Sequence, residues 1–111
     1  MAYDDALAAR IRELVGTGPE VTEKPMFGGL AFLVNGHMAI AASGQDGLLV
    51  RCDPADTAAL LEQPHTRPME MRGREMQGWL RVDAEGAATT DAIRPWAERG
   101  VAYARSLPPK G

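Results

Sequence analysis

The stretch MFGGLAFLVNGHMAI, Met26 to Ile40, decides the fold. Asn35-Gly36 lies between two apolar runs, and a two-residue type I′ hairpin turn needs the positive φ that Asn and Gly tolerate. Such a turn pairs Val34 with His37, Leu33 with Met38, Phe32 with Ala39 and Ala31 with Ile40. Strand side chains alternate, so Ala31, Leu33, Met38 and Ile40 share one side of the ribbon. Leu30, Phe32, Val34, Ala39 and Ala41 share the other. Both sides are apolar, the pattern of strands covered on both faces. The expectation is that the chain's own helices hide one face and a partner hides the other.

Ahead of this ribbon, Ala2 to Val15 reads as a helix with Tyr3, Leu7, Ile11, Leu14 and Val15 on one stripe. Asp4 and Asp5 suit the positive end of its dipole, and Gly16, Gly18 and Pro19 end it. Val21 to Phe27 reads as a strand that Pro25 confines to an edge or a bulge. Gly28-Gly29 permits the bend into the hairpin.

Beyond the ribbon, Ser43 to Gly47 is a turn into the strand Leu48 to Cys52. Asp53 and Pro54 open a short helix whose buried side is Ala59, Leu60 and Leu61. His65 to Pro68 reads as loop. Met69 to Arg72 and Trp79 to Val82 read as short strands joined by Gly73 to Gly78, with a turn over Asp83 to Gly86. Thr90 to Leu107 is the last helix, with Ile93, Trp96, Ala97, Gly100, Val101, Ala104 and Leu107 inward. Pro95 belongs near its first turn, because deeper in a helix a proline costs about 3 kcal/mol. This order predicts an α+β domain of two layers, a mostly antiparallel sheet of about five or six strands under about three helices.

At 111 residues the chain is expected to be a single domain over 1–111, and its 45% apolar content excludes a disordered chain. The net charge of −3 carries no basic stripe, which disfavours direct nucleic-acid binding. MAYDDALAAR has no basic region followed by an apolar one, and no apolar run reaches bilayer length. The expectation is a cytoplasmic protein without membrane contact.

Catalytic signals are weak. His37, Cys52 and His65 are scattered without metal-ligand spacing, so no metal and no cofactor are expected. His37 reads as a solvent-facing turn residue. Cys52 alternates with Leu48 and Val50 and reads as a buried, inert thiol. The richer stretch is MEMRGREMQGWLRV, Met69 to Val82. Strand alternation puts Glu70 and Arg72 on one side and joins Trp79 with Arg81. If Arg51 lies on that face, Arg51, Arg72, Arg81, Glu70 and Trp79 form one patch. Its plain reading is a solvated sheet face with weak Glu–Arg pairs. Its functional reading is an Arg/Trp recognition surface for a protein, or for a small molecule or anion. Met26 and Met38 are the methionines expected to meet a partner.

KPMFGGLAFLVNGHMAI, GLLVRCDP and MEMRGREMQGWLRV together resemble the N-terminal domain of the TfoX/Sxy family, and WAERGVAYARSLPPK resembles its short single-domain members. The resemblance implies a two-layer fold like that of type III secretion chaperones. It also implies kinship with regulators of competence genes that work with a transcription regulator rather than read DNA alone. It supplies no catalytic residues. Met26, Phe27, Gly28, Gly29, Gly36 and Trp79 match its signature, with roles in the fold or an interface. The function expected is therefore a non-enzymatic, protein-binding regulatory module, in a form that includes a homodimer. Met26, Phe27, Gly28, Gly29, Phe32, Met38, Arg51, Arg72, Trp79 and Arg81 are the candidate contacts, and Asn35-Gly36 is the structural turn.

Overall fold

A computed structural model describes residues 4–16, 18–26, 28–44 and 47–108. Helix α1 (Asp5–Val15) starts where the Asp4 side chain accepts hydrogen bonds from the amides of Ala6 and Leu7. It buries Leu7, Ile11 and Val15 of the predicted stripe together with Ala8, while Leu14 is half-buried against the same core and Tyr3 lies outside the described residues. Six strands follow among the described residues: β1 (Val21–Met26), β2 (Gly29–Val34), β3 (His37–Ala42), β4 (Leu48–Arg51), β5 (Thr66–Met71) and β6 (Arg74–Val82). The short α2 (Thr57–Leu60) lies between β4 and β5, and α3 (Thr90–Ser106) follows β6. All neighbouring strands are antiparallel, in the order β1-β2-β3-β4-β6-β5. The fold is α+β, as the sequence predicts.

The central hairpin forms at Asn35-Gly36, whose φ values of 54° and 85° are those of a type I′ turn. Val34 pairs with His37 and Leu33 with Met38. Beyond that the register departs from simple counting. Phe32 pairs with Ile40, Ala31 with Ala41 and Leu30 with Ala42, so β3 has one extra residue, Ala39, opposite the Phe32/Leu33 step. A bulge of this kind keeps two successive side chains on one face and moves the rest of the strand by one position. Ile40 therefore joins the helix side with Leu30, Phe32, Val34 and Ala39, while Ala41 crosses to the opposite side with Ala31 and Met38.

Helix α3 packs directly on the bulge. A Cβ placed on Gly100 would come within 2.2 Å of the Ala39 carbonyl oxygen, so the helix backbone lies directly on the bulge. α3 begins at Thr90, capped by the Thr89 hydroxyl, which puts Pro95 in the second turn rather than the first. Pro95 is exposed, so the helix carbonyl that loses its donor there faces water.

All three helices contribute to one core, with Ile11, Leu60, Ile93, Trp96 and Ala97 against Phe32, Ile40 and Val50. The opposite sheet face has its own core of strand residues only: Ala31, Met38, Ala41, Leu49 and Met69, rimmed by Met26, Leu33, Met76 and Trp79. This corrects the expectation that an outside partner must hide the second face. Ala31 is 0% exposed and Met38 4%, because small alanines at the centre are roofed by long methionine and indole side chains from neighbouring strands. Strand β1 is tied to α1 by a two-point Arg12–Glu23 contact at 2.6 and 2.7 Å.

Replacing Gly100 with Ala tests the helix–bulge contact. Helix propensity alone predicts a gain of about 1 kcal/mol. Overpacking against the Ala39 carbonyl is expected to outweigh it, for a net loss of about 1–2 kcal/mol in urea unfolding. A more stable variant would disprove the close approach. The Arg12 hydrogen bond holds the Glu23 carboxyl below its ordinary pKa of 4.5, so the pair stabilises the fold above that pH and the contribution disappears as pH falls through the lowered value. Glu23→Gln should be less stable than the parent at pH 7, and the two should converge in acid. A gap that persists in acid after the Glu23 carboxyl has been titrated, as followed by its own NMR signal, would be inconsistent with this pair.

Candidate functional site

The candidate chemistry lies along β4, β5 and β6, in three separate places. Midway along β6, Arg51 of β4 is directly opposite Trp79. The Arg51 guanidinium carbon is 5.0 Å from the Trp79 ring centre and 5.5 Å from that of Tyr103, so the cation is shared between two aromatic rings. A buried clamp aims Trp79: the Gly78 amide donates to the Thr57 hydroxyl at 2.8 Å, and the Gly78 carbonyl accepts from the Cys52 amide at 2.8 Å. Gly78 has φ 86°, and the register of β6 against β5 breaks across this stretch.

At one end, Arg81 of β6 is opposite Leu49 on one side and Arg67 of β5 on the other. Arg81 Nη1 donates to the Ser43 hydroxyl at 3.0 Å, and Arg67 Nε is 2.7 Å from the Asp83 carboxylate. Burial, then the neighbouring Arg67 charge, pushes the Arg81 pKa down.

At the other end is the β5–β6 hairpin tip. Arg72-Gly73 is a two-residue turn with φ values of 54° and 79°, not the strand end and long connection that the sequence suggests. Met71 pairs with Arg74, and a hollow of about 460 Å³ is lined by Met71, Arg72, Arg74 and Met76. The five-residue patch therefore does not form. Arg51 and Trp79 come together, Arg81 sits beside Arg67, and Arg72 is at the tip. Glu70 faces Glu75 across the hairpin instead of an arginine.

The ribbon candidates are largely internal. Phe32 is 0% exposed beneath the helices and Met38 is buried, so neither offers a surface to a partner. Gly29 is buried, and a Cβ there would strike the Ala42 carbonyl at 2.1 Å, which makes it a packing position. Gly28 supplies a φ of 76° at an open bend, and Met26 is half-buried on the rim. Phe27 lies outside the described residues. His37 is not a free turn residue: it is half-buried, its Nε2 donates to the Pro108 carbonyl at 2.6 Å, and Nδ1 is buried without a partner.

Sequence reasoning missed Arg67, Arg74, Tyr103 and the Thr57 clamp. Arg67 was assigned to a loop, whereas β5 begins at Thr66. The signal for the tip was Gly73 alone, because Arg72 is not one of the residue types that mark a type I′ turn.

Among the described residues no three His, Cys, Asp or Glu side chains cluster as metal ligands, and no helix is long and apolar enough to cross a membrane. Cys52 is 0% exposed, and burial, more than any neighbouring group, raises its thiol pKa. Its reaction with Ellman's reagent should be negligible in the native protein and should follow the unfolding curve in urea. Complete labelling within minutes without denaturant would place the thiol at the surface.

A comparison with curated proteins finds no match. The family model for the TfoX N-terminal domain matches residues 13–104, from the second half of α1 through nearly all of α3. That span holds the bulged hairpin, the Arg51–Trp79 stack and both ends of the β5–β6 hairpin, and on this match the chain belongs to the TfoX N-terminal domain family.

Proposed function

We propose that this chain is a non-enzymatic regulatory module that binds a protein partner through the tip of the β5–β6 hairpin. The observation that carries this reading is Met71. It is 42% exposed, the large apolar side chain most open to water among the described residues, and it is flanked by Arg72 and Arg74. Methionine and arginine are enriched where proteins meet, methionine because it adapts its shape and arginine because its fork grips carboxylates. The turn itself supports a role for Arg72, since a left-handed backbone costs a side-chain-bearing residue about 1–2 kcal/mol relative to glycine. The chemistry on offer is adhesive, with no nucleophile or general base among Met71, Arg72, Arg74 and Met76.

The fitting partner presents an acidic segment with apolar side chains. A second copy docking symmetrically would oppose the same arginines, which is unfavourable, so the tip is suited to a different protein. The kinship with competence regulators supports placing that partner among transcription regulators that control competence genes.

A photo-crosslinking amino acid at position 71, with Ala102 on α3 as the control position, tests the reading in native cells. A discrete protein adduct is expected from position 71 and not from position 102. Arg72→Glu with Arg74→Glu should weaken it about tenfold or more, because like-charge juxtaposition at an interface costs several kcal/mol. An adduct indifferent to charge reversal, an adduct with DNA, or none at all would reject the proposal.

A further inference from the structure

The base of the same hairpin, remote from its tip, presents a second site. We propose that Arg67 and Arg81 form a binding site for a small oxyanion, a carboxylate or a phosphate group. The two arginines are directly opposed across the β5–β6 pair, an arrangement of like charges that is unfavourable to the extent that no counter-charge offsets it. Arg67 is held from one side by Asp83. Arg81 has no carboxylate partner within ion-pair distance among the described residues, and its one side-chain hydrogen bond is to the neutral Ser43 hydroxyl. It is half-buried. A guanidinium taken partly out of water is ordinarily paired with a carboxylate or phosphate, and its planar fork grips either through two parallel hydrogen bonds.

There is room for such a group. An open hollow of about 380 Å³ is lined by Arg67, Pro68, Glu70 and Arg81. This is several times the share of liquid volume held by one water, about 30 Å³, so a phosphate or a small dicarboxylate fits with its hydration trimmed rather than stripped. Pro68 gives a wall with no amide donor, leaving the guanidinium groups as the source of hydrogen bonds. Glu70 lines the same hollow, forms no ion pair with either arginine, and opposes a bound anion. It sets the affinity low and favours exchange. This site stands independently of the hairpin-tip reading: it uses other residues, and either can fail alone.

The test follows the arginine Nε–H signals of the intact chain by NMR while inorganic phosphate or glutarate is added, against sodium chloride at matched ionic strength. Saturable shifts of the Arg81 and Arg67 signals are expected with the oxyanions and not with chloride. Saturation by phosphate alone identifies a phosphate site, and saturation by both identifies a general oxyanion site. Arg67→Gln, at an exposed position that keeps the core intact, should weaken binding about tenfold, the loss of a charge-assisted hydrogen bond. Glu70→Gln should tighten it. Arg81→Met should abolish saturation, with the amide spectrum reporting that the fold is retained. Responses that match chloride, or that survive Arg67→Gln and leave Glu70→Gln without effect, overturn the proposal.

Discussion

The contact on which the rest of this structure depends is between two backbones, Gly100 of α3 and the Ala39 carbonyl of β3. A helix normally stands off a sheet by the length of its side chains. Here a missing Cβ lets one turn of the helix touch the strand. The bulge at Ala39 meets it by pushing the strand backbone outward, and that displacement exchanges the sides of Ile40 and Ala41. Ile40 then belongs to the same core as Trp96 and Ala97, while the smaller Ala41 goes to the opposite face.

That exchange shapes the second face. With Ala31 and Ala41 at its centre, this face is a shallow bed that Met38, Met69, Met26 and Trp79 can roof from the sides. A large residue in place of Ala41 would leave a ridge needing cover from outside. Arg51 stacks between Trp79 and Tyr103, Arg81 sits by Arg67 and Ser43, and the methionine–arginine cluster occupies the hairpin tip.

Local signals were legible where one residue type has one physical use. Asn35-Gly36 fixes a tight turn, Asp53 and Pro54 open a short helical segment, and Leu7, Ile11 and Val15 read directly from spacing. The bulge was not legible, because the close packing on it comes from Gly100, some 60 residues away, and pattern counting assumes an unbroken period of two along a strand. The hairpin tip was hidden for the opposite reason. Arg72 adopts a conformation that its own side chain disfavours, so the local sequence argues against the turn that forms. Once Arg72 is lifted off the strand, the patch drawn around it dissolves, and Arg67, assigned to a loop, replaces it beside Arg81. Core positions followed from pattern and site positions did not, since strain and like-charge neighbours run against pattern.

Both margins of the sheet carry a proline: Pro25 in β1 and Pro68 in β5. An open antiparallel sheet ends in rows of amides and carbonyls that can template another strand, and proline removes a donor from such a row. Each end of the sheet thus offers an added strand one donor fewer, so an open-ended topology is blunted at both of its edges by the same simple device.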